Sequence, residues 1–205
     1  MARRLEADAR RQEIAEAVLS LLAKEGLEAT SVRDVAKEAG VSAGMVQHHF
    51  RTRDEMLRFA CEYMVERTQH RISPLVAAIP EPRSIRTILG VLFRELLPLD
   101  EARRSEIRIW MAFLARAVVQ PEMEAFMRAT HEATHATIVG LLRHAAGTGE
   151  LRPGVDIEAA ATALFALTDG LVSHVLINHV TGDQALRAIS DALGTFLKDQ
   201  PEVVS

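Results

Sequence analysis

Apolar residues recur at three- to four-residue spacing along nearly the whole chain, and no convincing run of strict alternation interrupts them. Helices are therefore predicted almost throughout, and strands are not. Ile14, Val18, Leu21 and Leu22 line one face of a first helix. Gly26 ends it, because glycine enters the left-handed conformation without a side-chain clash. A second helix is predicted from Ser31, whose hydroxyl caps a free amide while Asp34 reaches back in a capping box; Gly40 breaks it after Ala39. Ser42 caps a third short helix that reaches about Phe50, and the box Thr52-Arg-Asp-Glu55 opens a fourth that extends to about Arg71. The breakers Ser73-Pro74 and Pro80-Glu-Pro82 then predict a seam.

Beyond the seam, Ser84 to Leu97 carries Ile88, Leu89, Leu92 and Leu96 on one face, and Glu101 to Val119 carries Ile109, Trp110, Phe113 and Leu114. Pro121 suits a first helical position and is followed by Glu122 and Glu124 near the positive helix end; this helix is expected to run to Ala146, before the Gly147-Thr-Gly149 turn. Asp156 is expected to cap a long helix to about His179, and Asp183 to start a last one ending near Lys198. The fold class is all-α.

Composition narrows the class without choosing a function. The 205 residues are 48% hydrophobic and 25% charged with a formal charge of -4, which suits a globular protein and excludes a disordered one. No stretch has the ~20 uninterrupted apolar residues of a membrane span, and no membrane partner is expected. The start, Met1-Ala-Arg-Arg-Leu, lacks the apolar run of a secretory signal, and a single cysteine, Cys61, fits a reducing cytoplasm. Mild acidity argues against a protein that coats nucleic acid over its whole surface. It leaves room for one basic face, and positive charge is concentrated at Arg3, Arg4, Arg10 and Arg11, expected before the first helix, and then at Arg51 and Arg53.

The segment Ser31 to Phe50 is the informative one. Small Ala36 sits where two short helices would approach, Gly40 where the chain turns sharply, and Val46 where the second helix locks against the first. From Ile14-Ala-Glu-Ala17 through Gly26, Thr30-Ser-Val-Arg-Asp-Val-Ala36, Ala39-Gly-Val-Ser42, His49-Phe50 and Arg53-Asp-Glu-Met-Leu57, the sequence resembles the TetR family of bacterial transcription regulators. The resemblance implies an architecture of about nine helices. It divides into a helix-turn-helix DNA-binding domain at 1–52 and a helical effector-binding and dimerisation domain at 53–205. It implies no enzyme activity and no cofactor.

By position in that family, Ser42, Ala43, Gly44, Met45, Gln47 and His48 would face the major groove, with His49 partly structural. Gln47 suits an adenine edge and Met45 a thymine methyl. Thr30, Ser31, Arg33, Thr52 and Arg53 would contact phosphates, which sets register without reading sequence. The family usually has tyrosine where Gln47 stands and lysine where Arg53 stands, so the role of Gln47 departs from the pattern.

One recognition helix offers too little contact for tight binding, whereas a two-fold dimer places two of them one turn apart, about 34–36 Å. The family implies an interface on the last two helices, here through Ala161, Leu164, Phe165, Thr168, Val172, Ile189, Leu193 and Phe196. Phe93, Trp110, Met111, Phe113, Leu114, Met123, Phe126 and Met127 suit either a plain core or an adaptable apolar pocket for an unknown small-molecule effector. The Trp110-Met-Ala-Phe113 segment is faintly similar to the choline-responsive BetI branch. The expected partners are double-stranded operator DNA, a second copy of the chain and that effector, which would shift the population toward a state whose recognition helices no longer match successive grooves.

One motif points to a different class. His131-Glu132-Ala133-Thr134-His135 is a literal H-E-x-x-H, the spacing of a zinc-dependent sensor or hydrolase. A third ligand would have to come from His144, Glu150 or His174, none of which stands at a compelling spacing.

Overall fold

The computed structural model describes residues 2–26 and 30–198, with side chains from residue 6 onward; the expectations for Arg3 and Arg4 therefore lie outside the described side chains. Nine helices are present among the described residues: α1 (Ala2–Glu25), α2 (Val32–Glu38), α3 (Ala43–His49), α4 (Arg53–Ala77), α5 (Ile85–Glu95), α6 (Glu101–Ala117), α7 (Pro121–Thr148), α8 (Ile157–Leu176) and α9 (Gly182–Phe196). The β pairing among them is one isolated antiparallel bridge, Leu151 with Leu197.

Local chemistry sets most boundaries. Gly26 closes α1 at φ +80, its amide donating to the Leu22 carbonyl at 3.1 Å. Asp156 caps α8 through the Ala159 amide at 3.1 Å. α4 departs from expectation by running past Pro74. A proline that near the helix end forfeits a single backbone bond, and the Ala78 amide still donates to the Pro74 carbonyl at 3.0 Å, so the last turn survives. α8 stops short of His179 because Asn178 adopts φ 57, while the Arg104 guanidinium takes the Val175 and Leu176 carbonyls at 3.3 and 3.4 Å. α9 is capped by Thr181 in a full capping box with Gln184, one step earlier than Asp183 would allow.

The chain clusters into two compact units, Met1–Gln69 with Arg108–Met127 and His70–Ile107 with Arg128–Ser205. In the first, the apolar stripe of α1 (Ile14, Val18, Leu21, Leu22) packs in one core with Val35, Ala36, Val46, Phe50, Met56, Leu57 and Cys61, and with Ile109, Phe113, Ala117, Met123 and Met127. Burial pushes the Cys61 thiol far above its usual range, so it stays protonated.

In the second unit, Leu89, Phe93, Leu97, Ile138, Leu142, Leu164, Ile189 and Leu193 are buried. Glu95, only 7% exposed, is held by Arg71 Nε at 2.8 Å and Arg103 at 2.6 Å; Arg71 also reaches Glu106 at 3.0 Å. A buried carboxylate this well paired and hydrogen-bonded avoids the penalty of an isolated charge. α8 is long and apolar enough, by length and composition alone, to cross a membrane, but Glu158, Asp169 and His174 interrupt it.

Candidate nucleic-acid interface

α2 and α3 are too short to be stable alone, and their geometry comes from caps and a shared core. The Ser31 hydroxyl accepts from the Asp34 amide at 3.3 Å and donates to the Asp34 carboxylate, which it holds below the usual carboxylate range. Asp34 thus meets the capping hydroxyl itself, not the Ser31 amide that a full box requires. Gly40 turns the chain at φ +67, and the Val41 amide returns to the Ala36 carbonyl at 2.9 Å. Ser42 caps α3 through the Met45 amide at 3.1 Å. Val46, fully buried, pins α3 inward, which leaves Ser42, Ala43, Gly44, Met45, Gln47 and His48 exposed on one short element. His49 is half-buried, the division that a 100° step per residue predicts for neighbours.

The surrounding contacts fix this element to its unit. Glu38 on α2 accepts from Lys24 Nζ at 2.8 Å and Ser20 Oγ at 2.7 Å on α1, and these bonds lower its carboxyl's affinity for a proton. Thr52 caps α4 through the Glu55 amide at 3.0 Å, while the Glu55 carboxylate takes the Arg51 amide at 2.9 Å. Ser42 and Thr52 use an oxygen lone pair in these caps, so their O–H groups remain suited to a phosphate oxygen.

Arg33 is exposed. Arg53 is half-buried, its Nε donating to the Thr30 carbonyl at 2.7 Å. Thr30 requires a correction: its side chain is 1% exposed and its hydroxyl donates to the Gly26 carbonyl at 2.9 Å, so it secures the α1–α2 junction and does not reach a phosphate.

Arg11 is legible in the sequence as part of a basic cluster, but its packing is not. The Arg11 guanidinium lies 4.7 Å from the Phe50 ring centre and 4.4 Å from that of Phe59, at the C-terminal end of α3. The charged form of His49 is disfavoured first by burial, then by His48, Arg11 and Arg10, so positive charge is concentrated there. On α4 and α6, Arg116 pairs with Asp54 at 2.6 Å. A cleft of about 350 Å³ beside them is lined by Thr52, Asp54, Glu55, Arg58, Gln120, Glu122 and Met123, three of them acidic against one arginine.

The other predicted groups are distributed as follows. Phe113, Met123 and Met127 are buried members of the first unit's core; Trp110, Leu114 and Phe126 pack against it half-exposed, as Met111 also is. Phe93 is buried in the second unit, whereas the rest of that set belongs to the first. Ala161, Leu164, Thr168, Val172, Ile189 and Leu193 are buried inside a single chain, and Phe165 and Phe196 are half-buried. Thr168 bonds the Leu164 carbonyl at 2.9 Å, as its position in the helix predicts.

In the H-E-x-x-H segment, His135 meets Thr162 Oγ1 at 3.1 Å, and His131 lies 3.9 Å from Asp169 and against the Phe165 ring. Burial raises the Asp169 carboxyl above its usual range, and nearby His131 partly offsets this. Glu150 is committed to the Ile85 amide at 2.9 Å, and His174 stacks edge-on with His179. Among the described residues no group of three or more His, Cys, Asp or Glu is placed to hold a metal ion.

Two short capped helices, joined by a left-handed glycine and presenting a small-residue face from a firm core, define a helix-turn-helix DNA-binding regulator. Residues 14–59 match the family description "Bacterial regulatory proteins, tetR family", and residues 86–198 match "BetI-type transcriptional repressor, C-terminal". The HTH-type transcriptional regulator PksA of Bacillus subtilis is 31% identical over 180 residues, 88% of this chain and 85% of that protein. BetI of Yersinia pestis is 23% identical over 79% of this chain and 78% of its own length. Among solved structures, a transcriptional regulator from Rhodococcus is 32% identical with a TM-score of 0.76, covering 90% of this chain and 94% of its own. A regulator from Saccharomonospora viridis, in complex with choline, is 24% identical with a TM-score of 0.82, covering 94% and 99%.

The chain belongs to the TetR family. It is a ligand-responsive transcriptional repressor that binds operator DNA as a homodimer and responds to a small-molecule effector; the family is not one of enzymes, and the metal-dependent alternative finds no support in it.

Proposed function

We propose that α3 reads the operator through Met45 and Gln47, that Ala43 and Gly44 let the helix approach the base edges, and that Arg33, Ser42, Thr52 and Arg53 hold flanking phosphates. The observation that carries this reading is the exposure of Ser42 to Met45 and of Gln47 around a fully buried Val46. Gln47 fits an adenine edge with two hydrogen bonds, a different role from that of the longer tyrosine usual in the family. Ser31 contributes to phosphate binding only by giving up its bond to the Asp34 carboxylate.

The effector is a small organic molecule, and the half-exposed Trp110, Met111, Leu114 and Phe126 are the side chains offered to it. The choline carried by the Saccharomonospora neighbour supports an organic ligand of that size. Repression would end by a population shift away from the operator-matching state, with α4 carrying the movement. The second copy would meet the outward side of α8, since the interface residues expected from sequence are mostly spent on internal packing. The protein works in the cytoplasm, where its DNA is.

Binding titrations against DNA upstream of the chain's own gene and against a random duplex, over a salt series, test the reading. Gln47→Ala is expected to lose affinity for the operator while leaving random DNA nearly unchanged, a discrimination of about 1–3 kcal/mol per bidentate base contact. Equal loss on both duplexes defeats the base-reading role.

A further inference from the structure

We propose that Arg11 is a preorganised phosphate ligand, extending the DNA interface from the helix-turn-helix onto α1. Three observations converge on it. Its guanidinium is held against two rings, Phe50 at the C-terminal cap of α3 and Phe59 on α4, which themselves lie 5.3 Å apart. Its Nε is buried without a hydrogen-bond partner, so only the terminal nitrogens of this partly exposed side chain can meet an anion. Its neighbour Arg10, by contrast, is committed to Glu13.

A surface arginine normally spends its charge on a nearby carboxylate or on water, and holding one against two aromatic faces forfeits part of that hydration. What the arrangement gives in return is orientation. The planar fork is fixed before any ligand arrives, so little side-chain entropy remains to be lost when two N–H groups meet two phosphate oxygens. The position agrees with this use. Phe50 closes the recognition helix, and the His49 imidazole beside it already feels excess positive charge from Arg10 and Arg11. An anion at this end of α3 would relieve that repulsion, and the anion that a helix-turn-helix brings there is the backbone of the duplex it reads.

This inference rests on the operator-binding reading above. Its test is fluorescence anisotropy on the labelled upstream duplex and on a random duplex, across a salt series, with Arg11→Met and Arg11→Lys. Arg11→Met keeps an apolar stem against both rings. It is expected to weaken binding to both duplexes by a similar factor, about three- to tenfold, and to make the log–log salt slope shallower by about 1.8, one phosphate from each of two protomers. Arg11→Lys retains the charge, so its slope stays near wild type while its affinity falls several-fold for want of the fork. Thermal unfolding of each variant shows whether the fold is intact. Wild-type slope and affinity in a folded Arg11→Met protein overturn the proposal; if that variant does not fold, wild-type affinity in Arg11→Lys overturns it. Failure of the wild-type chain to prefer the upstream duplex counts against the operator reading instead.

Discussion

Arg116, in the last turn of α6, donates to the carboxylate of Asp54, in the first turn of α4, at 2.6 Å across 62 residues of sequence. Arg116 is 13% exposed and Asp54 52%, so the pair is partly screened and contributes modestly. Its leverage comes from position, because Asp54 follows the Thr52 cap and Arg53, both proposed above to hold phosphates. Arg116→Ala is expected to destabilise the fold by about 1 kcal/mol, or about 2–4 °C in thermal midpoint. It should also weaken operator binding. A double-mutant cycle with Asp54→Asn isolates the pair; additive effects would show that the two groups act independently.

Gly40 and Gly140 make opposite predictions from the same substitution. Gly40 sits at φ +67, where a side chain is strained although no neighbouring atom lies within 4 Å of where its Cβ would sit. Gly140 lies inside α7 with equally open space around its Cβ position and no left-handed φ. Gly40→Ala is expected to destabilise by about 1 kcal/mol. Gly140→Ala is expected to stabilise by about 0.5–1 kcal/mol through helix propensity and a less free unfolded chain. Urea unfolding measures both, and a shared sign would refute the conformational argument.

These glycines also show what a linear sequence discloses. Gly40 is legible because a turn, a cap at Ser42 and a buried Val46 all fall within seven residues, and such short-range chemistry is written in order. The fate of the helix at Pro74 is not, because whether it survives one missing bond depends on its surroundings. Arg116 with Asp54, Arg11 against Phe50 and Phe59, and Glu150 capping α5 at Ile85 from 65 residues away are products of tertiary packing. No local spacing encodes them. Thr30 misleads for a related reason, since a hydroxyl beside a DNA-binding helix looks the same in sequence whether it faces phosphate or the Gly26 carbonyl.

His49 gives stability a dependence on pH whose sign is fixed. Burial, His48, Arg11 and Arg10 hold its imidazole below the ordinary value of 6.5 in the folded chain. Above that value both states are neutral and the group contributes nothing. As pH falls below it, the unfolded chain takes up a proton that the folded chain refuses, so stability is lost until the folded imidazole also titrates. Asp34, Glu38 and Asp100 have lowered carboxyls and also lose stability in acid, but only from about pH 4 downward. Urea midpoints are therefore expected to decline between pH 7 and 5 in wild type and to be flatter over that window in His49→Gln. An unchanged decline in the variant would refute His49 as its source.

The dimer surface is best decided by contrasting a buried and an exposed position on one helix. Leu164 is 1% exposed within the single chain, so Leu164→Ala should cost about 2–5 kcal/mol of folding stability whatever the second copy does. Ala163, Ala166 and Gly170 face outward from α8, and their small size permits close approach of another helix. Ala166→Arg places a bulky charge on that side and disturbs nothing buried inside the protomer. Sedimentation should then report a monomer with near-native helix content, and operator affinity should fall steeply because two recognition helices are no longer held one turn of DNA apart. A variant that remains dimeric and binds normally would move the contact to another face of the second unit.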